Sequence, residues 1–168
     1  MSHLEKYGLE LLKNNPNIRK SRKFGIIDNY QEFSKSIIPE LNLDIDLEKH
    51  NIVITKKINQ KGFFMKWHID DAQLIKHKPN QIVDDKQIFI YNKHYLSYNG
   101  KNPPEYTCLI YDSVYNKDFT GGILEFADKT IVKPDKGMYV FFDSREVHKV
   151  NPIKSGIRIN YLIKFYYI

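Results

Sequence analysis

Apolar residues at helical spacing mark the N-terminal part of the chain. Ser2 and Glu5 are spaced as a capping box, in which a serine hydroxyl and a glutamate carboxylate bind the free amide groups at the start of a helix. Apolar positions then follow at helical spacing, at Leu4, Tyr7, Gly8 and Leu11. This pattern predicts a first helix that is closed by Pro16, because proline cannot continue the backbone hydrogen bonds of a helix.

A second helix is predicted over the thirties. Asp28 with Gln31 gives a start signal, and Pro39 is expected to kink or end the helix. One face of this segment is apolar, with Tyr30, Phe33, Ile37 and Leu41. Each helix therefore has an apolar stripe that must be buried. We expect both to pack on a β-sheet, because the rest of the chain has the pattern of strands.

From about residue 51 the apolar residues form short β-branched and aromatic runs that are separated by turn residues. Strands are predicted at residues 52–54, 62–67, 87–91, 106–114, 123–126, 129–133, 138–142 and 157–163. Gly121-Gly122 and residues 134–137 have the composition of tight turns. Short strands at regular spacing predict a sandwich or a barrel, and the uninterrupted apolar run at 138–142 predicts a strand covered on both faces.

The length and composition fit one globular domain. The chain has 168 residues, of which 42% are hydrophobic and 14% aromatic, which is enough for a substantial core. We expect residues 1–50 to form a helical support and residues 51–168 to form the β-sheet core. Residues 73–105 are the least core-like part, and we interpret them as a surface excursion that is partly a hairpin and whose loops could move.

Charge and cysteine content narrow the possible partners and compartments. The formal charge of +6 is weak support for a nucleic-acid partner, because the basic residues are dispersed apart from Arg19-Lys20 and Arg22-Lys23. The single cysteine, Cys108, excludes an internal disulfide and suits a reducing compartment. Because charges are scattered through the N-terminal residues and the apolar runs are short, we expect neither a signal peptide nor a segment that spans a bilayer. We therefore expect a monomer in the cytoplasm or nucleus, or in the host cytosol if the gene is viral, without membrane association.

Three residues have the chemistry of a metal site. His68 and Asp70 are two positions apart at the end of a predicted strand, so both side chains point to the same face. His148 follows the buried strand at 138–142 after a short polar turn, and it can converge on the same cation as a third ligand. Two histidines and one carboxylate leave coordination positions open, an arrangement that suits non-haem Fe(II).

Arg158 is the candidate for binding an anion beside this metal. It shares a strand face with Asn160 and Leu162, whereas Ile157, Ile159, Tyr161 and Ile163 lie on the opposite face. We expect the apolar face to pack under the helices and Arg158 to point inward. A buried guanidinium needs an anionic partner, either a carboxylate of the protein or one of a ligand that it binds in bidentate fashion. Next to a candidate iron site we favour the ligand.

These motifs together resemble the 2-oxoglutarate and Fe(II)-dependent oxygenases, and most closely the prolyl 4-hydroxylase branch. The resemblance covers about residues 51–167. It rests on His68-x-Asp70, on the position of His148 ten residues before Arg158, and on Gly121-Gly122-Ile123-Leu124. A double-stranded β-helix is the fold that it implies: a mainly β, jelly-roll or cupin-like core of two facing antiparallel sheets, with the N-terminal helices on the larger sheet.

The resemblance also implies the roles of five residues. His68, Asp70 and His148 would be the catalytic iron ligands. The strand Thr107–Tyr111 is similar to the family strand whose tyrosine helps to hold the distal carboxylate of 2-oxoglutarate, so Tyr111 would join Arg158 in cofactor binding. The implied cofactors are Fe(II), 2-oxoglutarate as cosubstrate and O2, with ascorbate in support. The implied reaction is hydroxylation of prolyl residues in a protein or peptide, with release of succinate and CO2.

Two other functions remain open. Arg158-x-Asn160 partly matches the Arg-x-Asn signature of AlkB-like nucleic-acid demethylases, but Leu162 and Lys164 stand where that family has threonine and a second arginine. We expect Lys164 to be solvated or packed, with contact to a carboxylate as the alternative. A catalytically silent β-helix binding module is the third hypothesis, and the complete set of five site residues argues against it.

Residues outside this set have a weaker claim to the site. Trp67 and Tyr91 are candidate walls of the pocket. The segment between Asp70 and Thr107 is longer than in compact prolyl hydroxylases and lies in a region that is near the substrate in the family. His77 and His94 fall within it and are candidate substrate contacts, although a surface position is the expectation for both.

Overall fold

The computed structural model describes residues 1–27, 37–70, 83–91 and 103–167. Its helices are α1 (His3–Asn14), α2 (Pro16–Lys20) and α3 (Ile37–Glu40), with a 3-10 turn at Leu47–Lys49. Its strands are β1 (Lys23–Ile26), β2 (His50–Gln60), β3 (Met65–His68), β4 (Val83–Tyr91), β5 (Tyr106–Tyr111), β6 (Phe119–Gly121), β7 (Leu124–Phe126), β8 (Ile131–Val132), β9 (Met138–Asp143), β10 (His148–Val150) and β11 (Ile153–Tyr167).

The strands form two antiparallel sheets. The larger sheet has the order β1-β9-β5-β11-β2-β4, with β6 paired to the beginning of β11, and the smaller sheet has the order β3-β10-β7-β8. Side chains of the two sheets pack on one another through an inner cluster that includes Phe126 of the smaller sheet and Phe142 of the larger. Two facing antiparallel sheets with helices at the N-terminus confirm the predicted fold class, a mainly β chain with a double-stranded β-helix core.

Strand β9 is covered on both faces, as its uninterrupted apolar run predicts. Val140 and Phe142 point into the inner cluster between the sheets. Tyr139 and Phe141 point to the opposite face and into an outer cluster. The alternation follows from the two-residue period of a strand, and it places β9 between the inner cluster and the outer cluster.

The segment around α3 covers the outer cluster. Ile38 and Leu41 are buried there, and α3 ends one residue after Pro39, as predicted. Residues 28–36, where Asp28 and Gln31 were predicted to start this helix, lie outside the described residues. One part of the prediction is wrong: Ile157 is 49% exposed, because the outer cluster begins only at Tyr161 of β11.

Helix α1 begins as predicted but buries an unexpected face. Ser2 is the N-cap and its hydroxyl accepts a hydrogen bond from the Glu5 amide at 3.0 Å. The apolar residues Leu4 and Tyr7 are 39% and 46% exposed, whereas Glu5 and Gly8 are buried. Helix α1 ends at Asn14, and Pro16 opens a second short helix, α2, that the sequence pattern did not predict.

Close packing explains the buried face of α1. A Cβ atom on Gly8 would lie 2.7 Å from Cβ of Val147 and 2.8 Å from Cβ of Ala127, so only glycine allows this approach. The Glu5 carboxylate accepts a hydrogen bond from Lys129 on the same side. The packing of α1 therefore depends on the small residue Gly8 and on an ion pair, and not on the apolar stripe of the helix.

Several predicted strands differ in extent from the observed ones. The strand predicted at 62–67 begins only at Met65, because Gly62 adopts φ +94° in a turn. The strand predicted at 106–114 ends at Tyr111, and the one predicted at 87–91 belongs to the longer β4. Within the predicted excursion, residues 71–82 and 92–102 lie outside the described residues, and so do His77, His94 and the side chain of Tyr91.

Two further predictions concern the cysteine and the membrane. Cys108 is a free and completely buried thiol, and burial raises its pKa, so it stays protonated and unreactive. None of the helices in the described residues has the length and apolar character that spanning a bilayer requires.

Candidate functional site

The pairing of β3 with β10 brings three predicted ligands together. These strands are antiparallel neighbours in which His148 lies opposite His68. Asp70 follows β3 after one residue, and its amide donates a hydrogen bond to the Ser144 carbonyl at 2.9 Å, which joins it to the turn before β10. One ligand atom from each of the three side chains lies within 4.8 Å of the others. We call this group the metal end of the site.

Backbone carbonyls orient both imidazole rings. Nδ1 of His148 donates to the Glu146 carbonyl at 2.7 Å, and Nδ1 of His68 donates to the Lys66 carbonyl at 2.6 Å. Each ring therefore carries its proton on Nδ1 and presents the lone pair of Nε2 to the centre of the group. Nε2 of His148 lies 3.3 Å from Oδ1 of Asp70, and Nε2 of His68 lies 3.5 Å from the same oxygen.

Thr107 holds the second carboxylate oxygen of Asp70. Its hydroxyl on β5 donates to Oδ2 at 2.6 Å, and both side chains are buried. Oδ1 is left facing the two histidines. The larger sheet thus fixes the orientation of a carboxylate that the smaller sheet supplies, and one oxygen stays available for a cation.

Electrostatics keep the carboxylate ionised. Burial by itself would raise the pKa of Asp70, but the charge of His148 in its protonated form and then that of Lys164, together with hydrogen bonds from both histidines when their Nε2 atoms carry a proton, hold it well below its usual value. Burial lowers the pKa of His148, which favours the neutral ring that binds a metal. Burial acts in the same direction on His68, but hydrogen bonding and charge from Asp70 outweigh it and raise that pKa.

A buried ion pair supports the turn that precedes His148. Glu146 is completely buried, and its carboxylate accepts a hydrogen bond from Arg22, whose guanidinium lies over the Phe126 ring at 4.3 Å. Arg22 also donates to Asp128 at 3.0 Å. Because the Glu146 carbonyl orients His148, this pair links the N-terminal segment to a predicted metal ligand. The sequence pattern did not predict this ion pair, since Arg22 occurs in a short basic run that is typical of a surface.

Arg158 lies in the same cavity with an incomplete set of partners. It is 5% exposed and donates to the Gly122 carbonyl at 3.0 Å and to Oδ1 of Asn59 at 3.2 Å. Its Nε has no partner, and no carboxylate of the described residues forms an ion pair with it. Burial lowers its pKa, as expected for a cation without a counter-charge. Gly122 is required here, because a Cβ at its φ of +69° would come within 3.2 Å of Nη1 of Arg158.

Tyr111 and two asparagines complete this second part of the site. Tyr111 is buried opposite Asn160 in the pairing of β5 with β11, and burial raises its pKa to about 12, so the hydroxyl keeps its proton and can donate. Oδ1 of Asn160 and Nδ2 of Asn59 are buried and have no hydrogen-bond partner among the described residues. We call Arg158, Tyr111, Asn59 and Asn160 the anchor end of the site.

The metal end and, at the anchor end, Arg158, Tyr111 and Asn160 border one cavity between the sheets. Its volume is about 230 Å³. The residues around it are Lys57, Phe63, Met65, His68, Ile69, Asp70, Thr107, Leu109, Tyr111, Leu124, Phe142, His148, Val150, Arg158, Asn160, Leu162 and Lys164. All five predicted site residues are among them. Trp67, predicted as a wall, is not, because its ring faces the Lys149 ammonium group at 4.8 Å on the outer side of β3.

The donor atoms fit the groups that the sequence predicts. Two imidazole nitrogens and one carboxylate oxygen on one side of a cation leave open positions, as Fe(II) in this chemistry requires. At the anchor end, a buried guanidinium without a carboxylate partner and a protonated tyrosine are suited to binding a carboxylate from outside the protein. Sequence reasoning did not assign a role to Thr107, Asn59 or Arg22, because their partners are far away along the chain.

Comparison with known proteins agrees with this geometry. The family model described as the 2OG-Fe(II) oxygenase superfamily matches residues 53–167. The chain is similar to the viral collagen prolyl hydroxylase of Paramecium bursaria Chlorella virus-1 in its 2OG complex, with 17% identity and a TM-score of 0.52 over 100% of this chain and 92% of that one. It is also similar to a prolyl-4-hydroxylase of Pseudomonas putida, with 16% identity and a TM-score of 0.52 over 98% and 82%. At these identities the likeness concerns the fold. No curated protein matches the sequence.

Proposed function

The chain belongs to the 2OG-Fe(II) oxygenase superfamily, and we propose that it hydroxylates prolyl residues of a protein or peptide. One observation carries the enzymatic part of this proposal. A group of two histidines and an aspartate, His68, Asp70 and His148, shares a cavity with a buried arginine, Arg158, that has no carboxylate partner among the described residues. A binding module without catalysis would need neither feature.

Each residue has a defined task in the proposed reaction. His68, Asp70 and His148 hold Fe(II), and Arg158 with Tyr111 binds the distal carboxylate of 2-oxoglutarate, so that its keto-acid end faces the metal. Iron bound there supplies the redox chemistry by which O2 oxidises 2-oxoglutarate to succinate and CO2 and converts a substrate C–H bond to C–OH. Apolar side chains between the ends exclude water: Phe63, Leu109, Leu124, Phe142 and Leu162.

Support for a prolyl substrate comes from two sources. The two similar solved structures are prolyl hydroxylases by description. In addition, the spacing of ten positions from His148 to Arg158 matches that of the prolyl-hydroxylase branch. A proline-containing protein or peptide is therefore the substrate class that we propose.

A second candidate is oxidative demethylation of a nucleic acid. Asn160, two residues after Arg158, has its side chain buried at the cavity, and its Oδ1 has no partner within residues 1–27, 37–70, 83–91 and 103–167. The formal charge of +6 would attract a polyanion. This candidate has less support, because Leu162 and Lys164 replace the remaining residues of the demethylase signature.

One assay separates the candidates. Succinate release is measured with Fe(II), 2-oxoglutarate and ascorbate, in the presence of proline-rich peptides or methylated oligonucleotides, and peptide products are analysed by mass spectrometry for one added oxygen on proline. We expect turnover with a peptide, loss of turnover in His148→Ala, and normal turnover in His3→Ala, a matched change of an exposed histidine. Turnover only with oligonucleotides would replace prolyl hydroxylation by demethylation. Absence of both turnover and iron binding would refute the enzyme assignment.

A further inference from the structure

A groove on the outer side of the smaller sheet is lined by apolar side chains that are left at the surface. It lies between the start of α1 and strands β3 and β10, and its volume is about 470 Å³. Leu4, Phe64 and Met65 line it and are exposed, with Phe64 at 51%. Trp67 and Pro152 border it as well. We call this surface the outer groove.

Two side chains whose positions differ from the sequence-based expectation meet in the outer groove. Helix α1 packs through Glu5 and Gly8, so Leu4 of its apolar stripe is left at the surface. Trp67 was expected to be a wall of the catalytic cavity, but its ring lies on the outer side of β3. Neighbouring exposed apolar side chains mark a surface that binds another molecule. The outer groove therefore has the character of a docking site.

The charges around the outer groove indicate an acidic partner. None of the described residues that line it is acidic, whereas Lys66 and Lys149 contribute two ammonium groups. The ammonium group of Lys149 lies 4.8 Å from the centre of the Trp67 ring and 3.4 Å from the carboxylate of Glu125, which compensates it in part. Lys66 is exposed and forms no ion pair within the described part of the chain. A segment that carries carboxylates beside apolar side chains complements this surface.

The outer groove and the catalytic cavity lie on the two sides of the same strand. Trp67 borders the groove and the next residue, His68, borders the cavity; Phe63 and Phe64 are divided in the same way in the turn before β3. Met65 borders both spaces. An extended segment of about eight residues spans about 25 Å, well beyond the roughly 10 Å that separates packed layers. One polypeptide can therefore occupy the cavity and the groove together.

We propose that the outer groove binds an acidic segment of the polypeptide substrate, at a distance from the prolyl residue that enters the cavity. Apolar side chains of this segment pack on Leu4, Phe64 and Trp67, and its carboxylates face Lys66 and Lys149. The inference rests on the proposed function and deepens it, because it adds an acidic docking segment to the substrate class. Binding in the groove raises the local concentration of the target at the cavity, so it lowers the KM for the peptide without changing kcat.

Trp67 provides a direct binding test, because it is the single tryptophan of the chain. Its fluorescence is followed while the full-length protein is titrated with an eight-residue peptide in which glutamates alternate with leucine and phenylalanine. We expect a saturable change in emission. The same peptide with glutamines in place of the glutamates should bind about tenfold more weakly, because its attraction to the two lysines is lost.

The matched variants Phe64→Ser and Phe24→Ser separate the outer groove from other exposed apolar positions. Both phenylalanines are exposed, but Phe24 lies on β1 of the larger sheet. Phe64→Ser should weaken binding of the acidic peptide about tenfold, because apolar contact is lost, and Phe24→Ser should bind it like wild type.

A turnover measurement connects the groove to the substrate. In the succinate assay, the KM of a proline-rich peptide is compared with the KM of the same peptide fused to the acidic segment. The fusion should lower the KM about tenfold in wild type and in Phe24→Ser, with kcat unchanged. In Phe64→Ser the two peptides should have nearly the same KM.

Other outcomes would overturn the inference in distinct ways. Equal affinities for the acidic and the glutamine peptide would refute the charge complementarity, and an equal gain from the fused segment in wild type and Phe64→Ser would place its binding elsewhere. A dimer in wild type that becomes a monomer in Phe64→Ser, measured by light scattering, would assign the groove to a second copy of the chain. Prolyl hydroxylation without binding of the acidic peptide would leave the proposed function standing and refute the groove. Binding of the acidic peptide without hydroxylation of any prolyl peptide would refute the proposed function, and with it the assignment of the segment to a substrate.

Discussion

The two ends of the cavity differ in how completely the protein satisfies their polar groups. At the metal end, Thr107 binds one oxygen of Asp70, and backbone carbonyls accept the Nδ1 protons of both histidines. At the anchor end, by contrast, Nε of Arg158, Nδ2 of Asn59 and Oδ1 of Asn160 are buried without a partner in the part of the chain that the structure describes. Both ends border one cavity, and the two histidines come from the smaller sheet whereas the residues of the anchor end come from the larger one.

The metal end is therefore pre-organised for a cation, whereas the anchor end keeps polar groups with which a ligand can pair. The metal end is oriented by hydrogen bonds that exist without any ligand, so a cation meets donors already in position. At the anchor end each unpaired polar group costs about 1–3 kcal/mol, which a ligand that pairs with it can recover. The anchor end thus lowers the stability of the ligand-free protein but makes this part of the cavity selective for an anion.

Removing a member of the metal end should have the largest effect. In Asp70→Ala the metal affinity is expected to fall by more than the roughly 100-fold that loss of an outer partner costs, and succinate formation should fall to background. Metal titration and a succinate assay measure the two effects. Turnover that survives Asp70→Ala or His148→Ala would show that the ligand assignment is wrong.

Breaking the ion pair that supports the metal end should cost stability. Arg22→Met leaves the completely buried Glu146 carboxylate without its cation, and the free energy of unfolding in urea should fall by about 3–5 kcal/mol. The control is Arg19→Met, because Arg19 is exposed and lies 3.8 Å from Asp128, so this change should cost less than about 1 kcal/mol. Equal losses in the two variants would contradict the supporting role of Arg22.

Changing the anchor end should separate binding from stability. Arg158→Met removes a guanidinium that would bind a carboxylate, so the KM for 2-oxoglutarate should rise by about 100-fold. The free energy of unfolding of the ligand-free protein should stay equal or rise by about 1–4 kcal/mol, because an uncompensated buried charge is replaced by an apolar side chain. Arg145→Met, at an exposed arginine, should leave KM unchanged. A large loss of stability in Arg158→Met would show that the anchor end is satisfied within the protein.

Loss of the Thr107 hydroxyl tests the pre-organisation of the metal end. Thr107→Val keeps the shape of the side chain but frees Oδ2 of Asp70, and the metal affinity should fall by about tenfold. Calorimetric metal titration measures this, with Thr120→Val, whose hydroxyl contacts Ser155 far from the ligands, as the matched control. Identical metal affinities in wild type and Thr107→Val would mean that Asp70 is positioned by the backbone alone.

The smallest effect is expected at Tyr111. Tyr111→Phe removes one neutral hydroxyl from the anchor end, and the KM for 2-oxoglutarate should rise by a few-fold to about tenfold with little change in kcat. Tyr7→Phe removes an exposed hydroxyl and should change neither constant. An unaltered KM in Tyr111→Phe would assign the distal carboxylate to Arg158 without help from the tyrosine.

Local patterns in the sequence predicted much of the fold and part of the site. The capping box at Ser2, the two-sided burial of β9 and the inward direction of Arg158 follow from periods of 3.6 and two residues along helices and strands. His68 and Asp70 were predicted to act together because they are two positions apart. The face that α1 buries was predicted wrongly, because the fit of Gly8 against Val147 and Ala127 outweighs the apolar stripe.

The sequence by itself indicated most of the strands and the type of chemistry, because side-chain period and ligand type are properties of short segments. Only the tertiary structure determined which distant residues complete the site. Thr107 meets Asp70 across 37 positions, and Arg22 meets Glu146 across 124. Lys164 reaches the metal end through its register with Thr107. These contacts depend on which strands are neighbours and in what register, and both are set by the packing of the two sheets on each other.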